Sequence, residues 1–281
     1  LPELVPLSSN RTGAPVTLNP VTPELENGTM PFVLYNLGGV ILNLISAALA
    51  AAVWLLCARE GVGSLFFPQL ALMGVCMALT NGIPMKTGMV NNDGYNAIAL
   101  GKDPESLRAF WLQLKVNAEQ AAGKTLKELP AEWFAMPTDE GLQDSMVVVQ
   151  GVLHCNRLME EHRFEEADRQ LHALLAKDTA MVGIHRGLCL NDQVFCRVVL
   201  GQERSAVDAL LDPQQKKFMK SMGTFLAVVR TQYAYAKLVE RDQKAAAKWK
   251  KAFEKAARSY PYAGDLATER GYLAVVDGLD G

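Results

Sequence analysis

Two long apolar runs, joined by a short loop, constrain the fold of this chain more than any other feature. Residues 30–58 and 64–85 contain no charged side chain, and Arg59 and Glu60 are the only charges between them. A transmembrane helix needs about 20 predominantly apolar residues, so each run is long enough to cross a bilayer. The connecting "REGVG" (59–63) makes the two segments antiparallel. The sequence therefore predicts a two-helix transmembrane hairpin, and a helix pair buried in a soluble core is the alternative.

The distribution of charged and proline residues divides the chain into three parts. Residues 1–29 are rich in proline, serine and threonine, and they predict a loop. Asn10 and Asn27 begin glycosylation sequons, a pattern short enough to arise by chance. From Lys102 onward the sequence is rich in charge. We therefore expect a Pro-rich loop (1–29), a transmembrane part (30–100) and a soluble helical domain (101–281).

The overall charge and the cysteines limit the partners and the compartment. The formal net charge is −2, which gives no indication of a nucleic-acid partner. The five cysteines form no C-x-x-C pair, and their odd number and irregular spacing argue against a disulfide framework. This usage is typical of a reducing compartment.

The soluble part predicts helices almost to its end, beginning with Asp103 as an N-cap before Pro104. Three blocks of sequence, "HRFEEAD", "GQERSAV" and "ERDQKAA", start 39 residues apart (162, 201 and 240). Each links a predicted helix to a following one and aligns an alanine: Ala167, Ala206 and Ala245. The pattern resembles tetratricopeptide-type hairpins, whose usual period is about 34 residues. An irregular helical bundle is the alternative, and both are all-α.

A polar segment, "NGIPMKTGMVNNDGYNA" (81–97), closes the second apolar run. Pro84 cannot continue a helix, and Asp93 follows shortly after it. Charged residues at membrane depth are costly, so they usually have a function, and irregular backbone is tolerated there only where protein covers it or water reaches it. A hydrated Asn-Asp-Gly turn just outside the bilayer is the alternative.

The order Asn81-Gly-Ile-Pro84 and then Asp93-Gly94 resembles the N-x-x-P…D-G segment of the site-2 protease family of intramembrane zinc metallopeptidases. The interval between the proline and the aspartate is longer here than is usual in that family.

A second motif of that family has a counterpart in the first apolar run. "LGGVILNLISAAL" resembles the G-P-x-x-N helix, with Gly39 and Asn43 matching and Val40 in place of the proline. The two motifs occur in the family's order, and the resemblance covers residues 30–100, about a quarter of the chain.

The resemblance implies a zinc site in which Asp93 is the third metal ligand. We hypothesise that Asn43 and Asn81 hydrogen-bond an extended substrate strand or the developing oxyanion. For these two residues, and for Pro84 and Gly94, the prediction is a substrate-binding or structural role. The family's two histidine ligands and its glutamate base lie in H-E-x-x-H, which is absent here, so no catalytic residue is assigned in this chain. In the family that motif precedes the G-P-x-x-N helix, and we expect it upstream of Leu1. Asp93 alone does not hold a catalytic zinc, which takes three protein ligands.

Three functions are compatible with these features. The first is part of a membrane zinc peptidase, inactive as this chain alone, that acts on a peptide or membrane-protein substrate. The second is a membrane-anchored helical adaptor, or a degenerate relative of the protease, that binds a protein through its helical domain. The third is a structural hairpin with a scaffold domain. Lys86 and Lys102 flank the hairpin on its C-terminal side, so the positive-inside rule predicts a cytoplasmic helical domain.

Overall fold

The computed structural model describes Leu25, residues 28–87 and residues 90–279. Most of the predicted Pro-rich loop, including Asn10 and Asn27, lies outside these residues. The described part is helical, apart from one two-residue strand pair, which confirms the all-α class. The chain divides into two compact units, one within Pro23–Arg108 and one within Ala109–Gly281.

The first unit contains the predicted hairpin. Helix α1 spans Phe32–Cys57 and helix α2 spans Gly63–Gly82, and both are long and apolar enough to cross a membrane. Helix α2 ends where Ile83 turns to extended backbone (ψ 121°), as expected for the residue before Pro84. The predicted end of the second run, Met85, is therefore three residues too late.

A small residue lets α1 and α2 approach each other closely. A Cβ atom on Gly74 of α2 would lie 2.9 Å from the backbone oxygen of Asn43 and 3.0 Å from the Cβ atom of Ala47. Small residues at such crossings are typical of packed membrane helices, in which van der Waals contact between backbones holds the pair together.

The outer surfaces of both helices are apolar. Six leucines are between 62% and 82% exposed: Leu34, Leu42, Leu49, Leu56, Leu65 and Leu72. Soluble monomers rarely expose contiguous apolar patches larger than a few hundred Å². The hairpin is therefore not a buried core pair, which was the alternative considered from the sequence.

Short elements follow the hairpin in the same unit. Strands β1 (Lys86–Thr87) and β2 (Val90–Asn91) pair antiparallel, with Lys86 opposite Asn91. Helix α3 (Asp93–Ala99) comes next and continues into a 3₁₀ turn, Leu100–Lys102. The described residues of the polar segment thus form the end of α2, a short strand pair and the start of α3.

The second unit is built from helices. The helix Pro104–Ala121 begins within the first unit, where Asp103 caps it as predicted: the Asp103 carboxylate accepts hydrogen bonds from the backbone N–H groups of Glu105 and Ser106. Short 3₁₀ turns occupy Leu126–Glu128, Ala131–Phe134 and Gly141–Gln143. The α-helices are α4 (Pro104–Ala121), α5 (Val148–Glu160), α6 (Phe164–Ala176), α7 (Gly183–Val199), α8 (Arg204–Asp208), α9 (Pro213–Ser221), α10 (Leu226–Ala234), α11 (Gln243–Ala257) and α12 (Ala263–Gly278).

The three sequence blocks do link successive helices, namely α5 to α6, α7 to α8 and α10 to α11. Each preceding helix closes on a residue with left-handed backbone: His162 (φ 58°), Gly201 (φ 63°) and Arg241 (φ 54°). The third of these lies 40 residues after the second, because a π-helical turn at Tyr235–Val239 inserts one residue.

Because of this inserted residue, the predicted alignment of the alanines is wrong in the third block. In the third block, Ala246 rather than Ala245 occupies the position of Ala167, and Ala246 is the buried one of the pair. The middle pair is also irregular, because α8 has five residues and α9 follows it.

Candidate functional site

Asp93, the predicted metal ligand, is the first residue of α3, and its neighbour Asn92 holds it there. The Oδ1 atom of Asn92 accepts hydrogen bonds from the backbone N–H groups of Met85 (2.9 Å) and Tyr95 (3.0 Å). Its Nδ2 atom donates to the carbonyl oxygens of Thr80 (2.9 Å) and Ile83 (2.6 Å). One side chain thus caps α3 and satisfies carbonyl groups at the end of α2 that the break at Pro84 leaves unpaired.

Gly94 is required by a close approach between α3 and the end of α2. It is buried, and a Cβ atom at this position would overlap the carbonyl oxygen of Gly82 and lie 3.1 Å from the nitrogen of Pro84. Gly82 in turn packs against α1, since a Cβ on it would lie 3.0 Å from Cγ1 of Val40. The D-G and N-x-x-P segments are therefore in direct contact, and they meet α1 at the position where the resembled family has its proline.

The Asp93 carboxyl group lies close enough to the Tyr35 phenol on α1 to interact with it electrostatically. Asp93 itself is half-buried. Asn43 is half-buried on α1, whereas Asn81 and Pro84 are exposed at the end of α2. Among the described residues no hydrogen bond joins either asparagine to Asp93. The structure thus gathers Asp93, Gly94 and Pro84, and the roles implied for Asn43 and Asn81 remain predictions.

The described residues do not make a zinc site by themselves. No group of three or more His, Cys, Asp or Glu side chains within the described ranges is arranged to hold a metal ion. The four histidines belong to the helical unit, on or next to α5, α6 and α7. Asp93 fits the role of a single oxygen ligand, and a catalytic zinc needs two further protein ligands.

A second site, which the sequence interpretation missed, is a cavity of ≈ 350 Å³ inside the helical unit. Its lining comes from α4, α5, α7, α10 and α12 together with the loop before α12. Most of its charge is acidic: the carboxyl groups of Asp192, Asp265 and Glu269 face it together with the guanidinium of Arg230. Phe225, which is 46% exposed, and the exposed Asn117 are also on the lining, so the cavity reaches the surface.

Arg230 is at the centre of this site. It is 1% exposed; its Nη1 atom lies 3.0 Å from Glu269 and its Nη2 atom lies 2.5 Å from Asp192. The guanidinium carbon is 4.3 Å from the ring centre of Phe195 and 4.8 Å from that of Tyr272. Two carboxylates and two aromatic faces therefore surround one buried cation, the combination that offsets the cost of burying it.

Burial raises the pKa values of the acidic groups around Arg230. Burial raises the pKa of Glu269 to about 8, although Arg230 opposes the shift and Asp265 and Asp192 add to it. Burial also raises the pKa of Asp192, and that of Asp265 even though the Tyr260 hydroxyl donates a hydrogen bond to it. Three carboxyl groups thus share one guanidinium.

Three buried atoms of the residues that line this site have no hydrogen-bond partner within the described structure: Oε2 of Glu269, Nε of Arg230 and Nδ1 of His185. Glu269 is only 5% exposed, so its free oxygen has lost its bulk solvation as well. An unpaired buried carboxylate oxygen is costly, and native proteins rarely keep one without a purpose.

Two signals in the sequence could have indicated this site. Arg230 lies between Leu226 and Ala234, the buried residues one turn before and one turn after it, so its charge is on the apolar face of its helix. Arg230 also follows Asp192 by 38 residues and precedes Glu269 by 39, which is close to the period of the sequence blocks.

Comparison with known proteins adds no relative. No protein-family model, curated protein or solved structure matches this chain.

Proposed function

We propose that this chain is part of an integral-membrane zinc metallopeptidase of the site-2 protease type, with Asp93 as one ligand of its zinc. The observation that carries the proposal is the Asn92 brace, which fixes Asp93 at the broken end of an apolar helix. A solvated turn needs no such construction, because water satisfies its backbone groups.

The packing around Asp93 supports the same role. Gly94 and Gly82 let α3 lie directly against the end of α2, which leaves α3 little freedom to shift the carboxylate. Metal ligands need this kind of support from their neighbours. When bound, a zinc ion would supply a water of lowered pKa for peptide-bond hydrolysis. Because the described residues provide one ligand only, we assign no step of that reaction to this chain.

In this proposal α1 and α2 cross the bilayer, and lipid covers their exposed leucines. The two crossings place the helical unit on the same side of the membrane as the N-terminal segment, and the lysines at positions 86 and 102 favour the cytoplasm. The helix pairs α5–α6, α7–α8 and α10–α11 act as tetratricopeptide-like repeats that recruit a substrate or a protein partner.

The first test is to read the coding DNA upstream of the codon for Leu1. We expect an in-frame H-E-x-x-H within a hydrophobic stretch. A stop codon and a start site next to Leu1, with no such motif in a co-encoded partner, would contradict the peptidase proposal.

The second test measures bound zinc. We expect the 281-residue chain alone to purify without stoichiometric zinc and without peptidase activity. The polypeptide that includes the H-E-x-x-H helix should bind one zinc, and Asp93→Ala should abolish both zinc binding and cleavage of a membrane-embedded reporter. Asp139→Asn is the matched control, because the Asp139 side chain is 81% exposed. Zinc retained by Asp93→Ala would remove Asp93 from the site.

A membrane-anchored adaptor without catalysis is the second candidate, and the cavity of the helical unit is the observation that favours it. The two functions differ in their dependence on Asp93. An adaptor should keep its partner after Asp93→Ala and lose it when the cavity lining is changed.

A further inference from the structure

The acidic cavity of the helical unit has the features of a binding site that its internal pairing leaves incomplete. Three carboxyl groups face it and one guanidinium offsets them, so its formal charge is negative. Glu269 offers a buried carboxylate oxygen that no donor of the described structure reaches. Asp265 precedes Glu269 by four residues on α12, so both side chains are on the same helix face.

We propose that this cavity binds an organic cation, an alkylammonium or guanidinium group, which donates a hydrogen bond to Oε2 of Glu269. The bound cation lies between Glu269 and Asp265, against the aromatic rings that share the lining, Tyr260, Tyr262 and Phe225. Aromatic faces combined with carboxylates are the surroundings that proteins use to hold ammonium and guanidinium groups.

The site already holds one organic cation between carboxylates and aromatic rings. Arg230 is an organic cation held by two carboxylates and by the rings of Phe195 and Tyr272. That arrangement uses one oxygen of Glu269 and leaves the other directed at no donor. A second cation would use the remaining oxygen and bring the charge of the three carboxyl groups closer to balance.

Other ligand classes fit less well. An anion would meet three carboxyl groups, while two of the Arg230 nitrogens already bond to Asp192 and Glu269. A metal ion lacks its ligands, because no described cluster of three His, Cys, Asp or Glu side chains is arranged to hold one. A purely apolar ligand would leave the Glu269 oxygen buried and unpaired.

The cavity volume limits the size of the ligand. At ≈ 350 Å³ it is at the lower end of the range of about 300–1,000 Å³ for small-molecule sites. It suits one amine-bearing side chain or one free amine. The exposed Phe225 and Asn117 mark a route from solvent. The cation is therefore either a lysine or arginine side chain of a peptide or a small free amine, and each of these presents positively charged N–H donors.

The test is calorimetric titration of the full chain in detergent micelles at pH 9 with two ammonium probes, because at this pH Glu269 is ionised and the amines still carry their protons. Nα-acetyl-lysine methylamide represents a peptide side chain and butylamine represents a free amine. Nα-acetyl-norleucine methylamide is the matched neutral control, because its side chain has the same carbon atoms and lacks the ammonium group. We expect the lysine probe to bind at one site per chain and the norleucine probe to bind at least tenfold more weakly.

The variants test whether Glu269 is the acceptor. Glu269→Gln keeps the shape of the side chain, removes its charge and should weaken binding of the lysine probe by about tenfold to a hundredfold, the range expected for one charge-assisted hydrogen bond. Asp265→Asn should weaken binding to a smaller extent. Glu254→Gln is the control, because this glutamate is 53% exposed and faces Arg270 on the surface. Thermal unfolding of each variant shows that it is folded.

Each outcome of these titrations either supports or overturns the proposed cation site. Binding of both ammonium probes supports the site and allows a free amine as its ligand, whereas binding of the lysine probe alone supports it and assigns a peptide. Equal binding of the norleucine probe, no binding by either amine, or unchanged affinity in folded Glu269→Gln overturns it. Asp93→Ala should bind the lysine probe like the unmodified chain, so this proposal and the zinc proposal fail independently.

Discussion

The free energy of unfolding of the helical unit should fall as the pH rises from 6 to 9, and Glu269→Gln should remove much of that fall. Burial raises the pKa of Glu269 from 4.5 to about 8 in the folded chain. Between these two values the folded state therefore holds a proton that the unfolded state has released. Stability from this group is complete below pH 4.5 and is lost as the pH rises through about 8.

The loss of unfolding free energy can be worked out from the difference between the pKa values of Glu269 in the unfolded and folded chain. Each pH unit in which the folded state holds one extra proton is worth about 1.4 kcal/mol. Because the folded group begins to ionise near its own pKa, the loss between pH 6 and pH 9 is about 3 kcal/mol. For a domain of this size that corresponds to about 6–12 °C in Tm.

Several groups around Glu269 set this pKa and must stay unchanged in the comparison. From α10, Arg230 lowers it, and from α7 and from α12 itself Asp192 and Asp265 raise it. The other titratable side chains on the same cavity lining are His185, Tyr260, Tyr262 and Tyr272. Glu160 is also close, because it shares a hydrogen bond with Thr268. Glu269→Gln leaves all of them in place.

The assay is thermal unfolding of the full chain in detergent micelles at pH 6, 7, 8 and 9, followed by tryptophan fluorescence. The unmodified chain and Glu254→Gln should lose about 6–12 °C more than Glu269→Gln across this range. Parallel Tm profiles for all three proteins would refute the reasoning, because Glu269 would then be ionised in the folded state throughout.

Three further predictions concern other parts of the molecule. Gly94→Ala should lower the stability of the hairpin unit by about 1–3 kcal/mol, because the added methyl group overlaps the Gly82 carbonyl, while Gly38→Ala, which has open space around it, should be neutral in the same thermal assay. Asn92→Ala should speed tryptic cleavage after Lys86, since the brace between α2 and α3 is lost; an unchanged cleavage rate would show that the brace does not hold this segment. Three cysteines are buried: Cys155, Cys189 and Cys196. Their thiols should resist maleimide at pH 8 until the chain unfolds, because burial raises their pKa values. Rapid labelling of any of them in the folded chain would contradict this burial.

The hairpin was predictable because its determinants are local. Length, the absence of charge and the five-residue connection sufficed for α1 and α2, and Pro84 indicated where α2 stops, to within three residues. Asp103 followed the capping rule for the same reason. Local chemistry did not show that Asn92 reaches back twelve residues to Thr80, since that bond depends on how the chain turns between them.

The cavity escaped prediction because its charged groups come from three helices that are far apart in sequence. No local rule pairs Arg230 with Asp192 or with Glu269. The position of Arg230 on the apolar face of its helix marks the residue as unusual, but it does not identify the partners.

Helices α7, α10 and α12 bring these charges together at one cavity. Counting back 39 residues from Asp192 gives Leu153 on α5, and this residue lines the same cavity. Leu153, Asp192, Arg230 and Glu269 lie on four different helices at intervals of 39, 38 and 39 residues. In the proposed tetratricopeptide-like arrangement, stacked repeats would bring such positions to one common face. A chain with apolar residues at all four positions would close this face as core, so the charges at three of them keep it polar and available to a ligand.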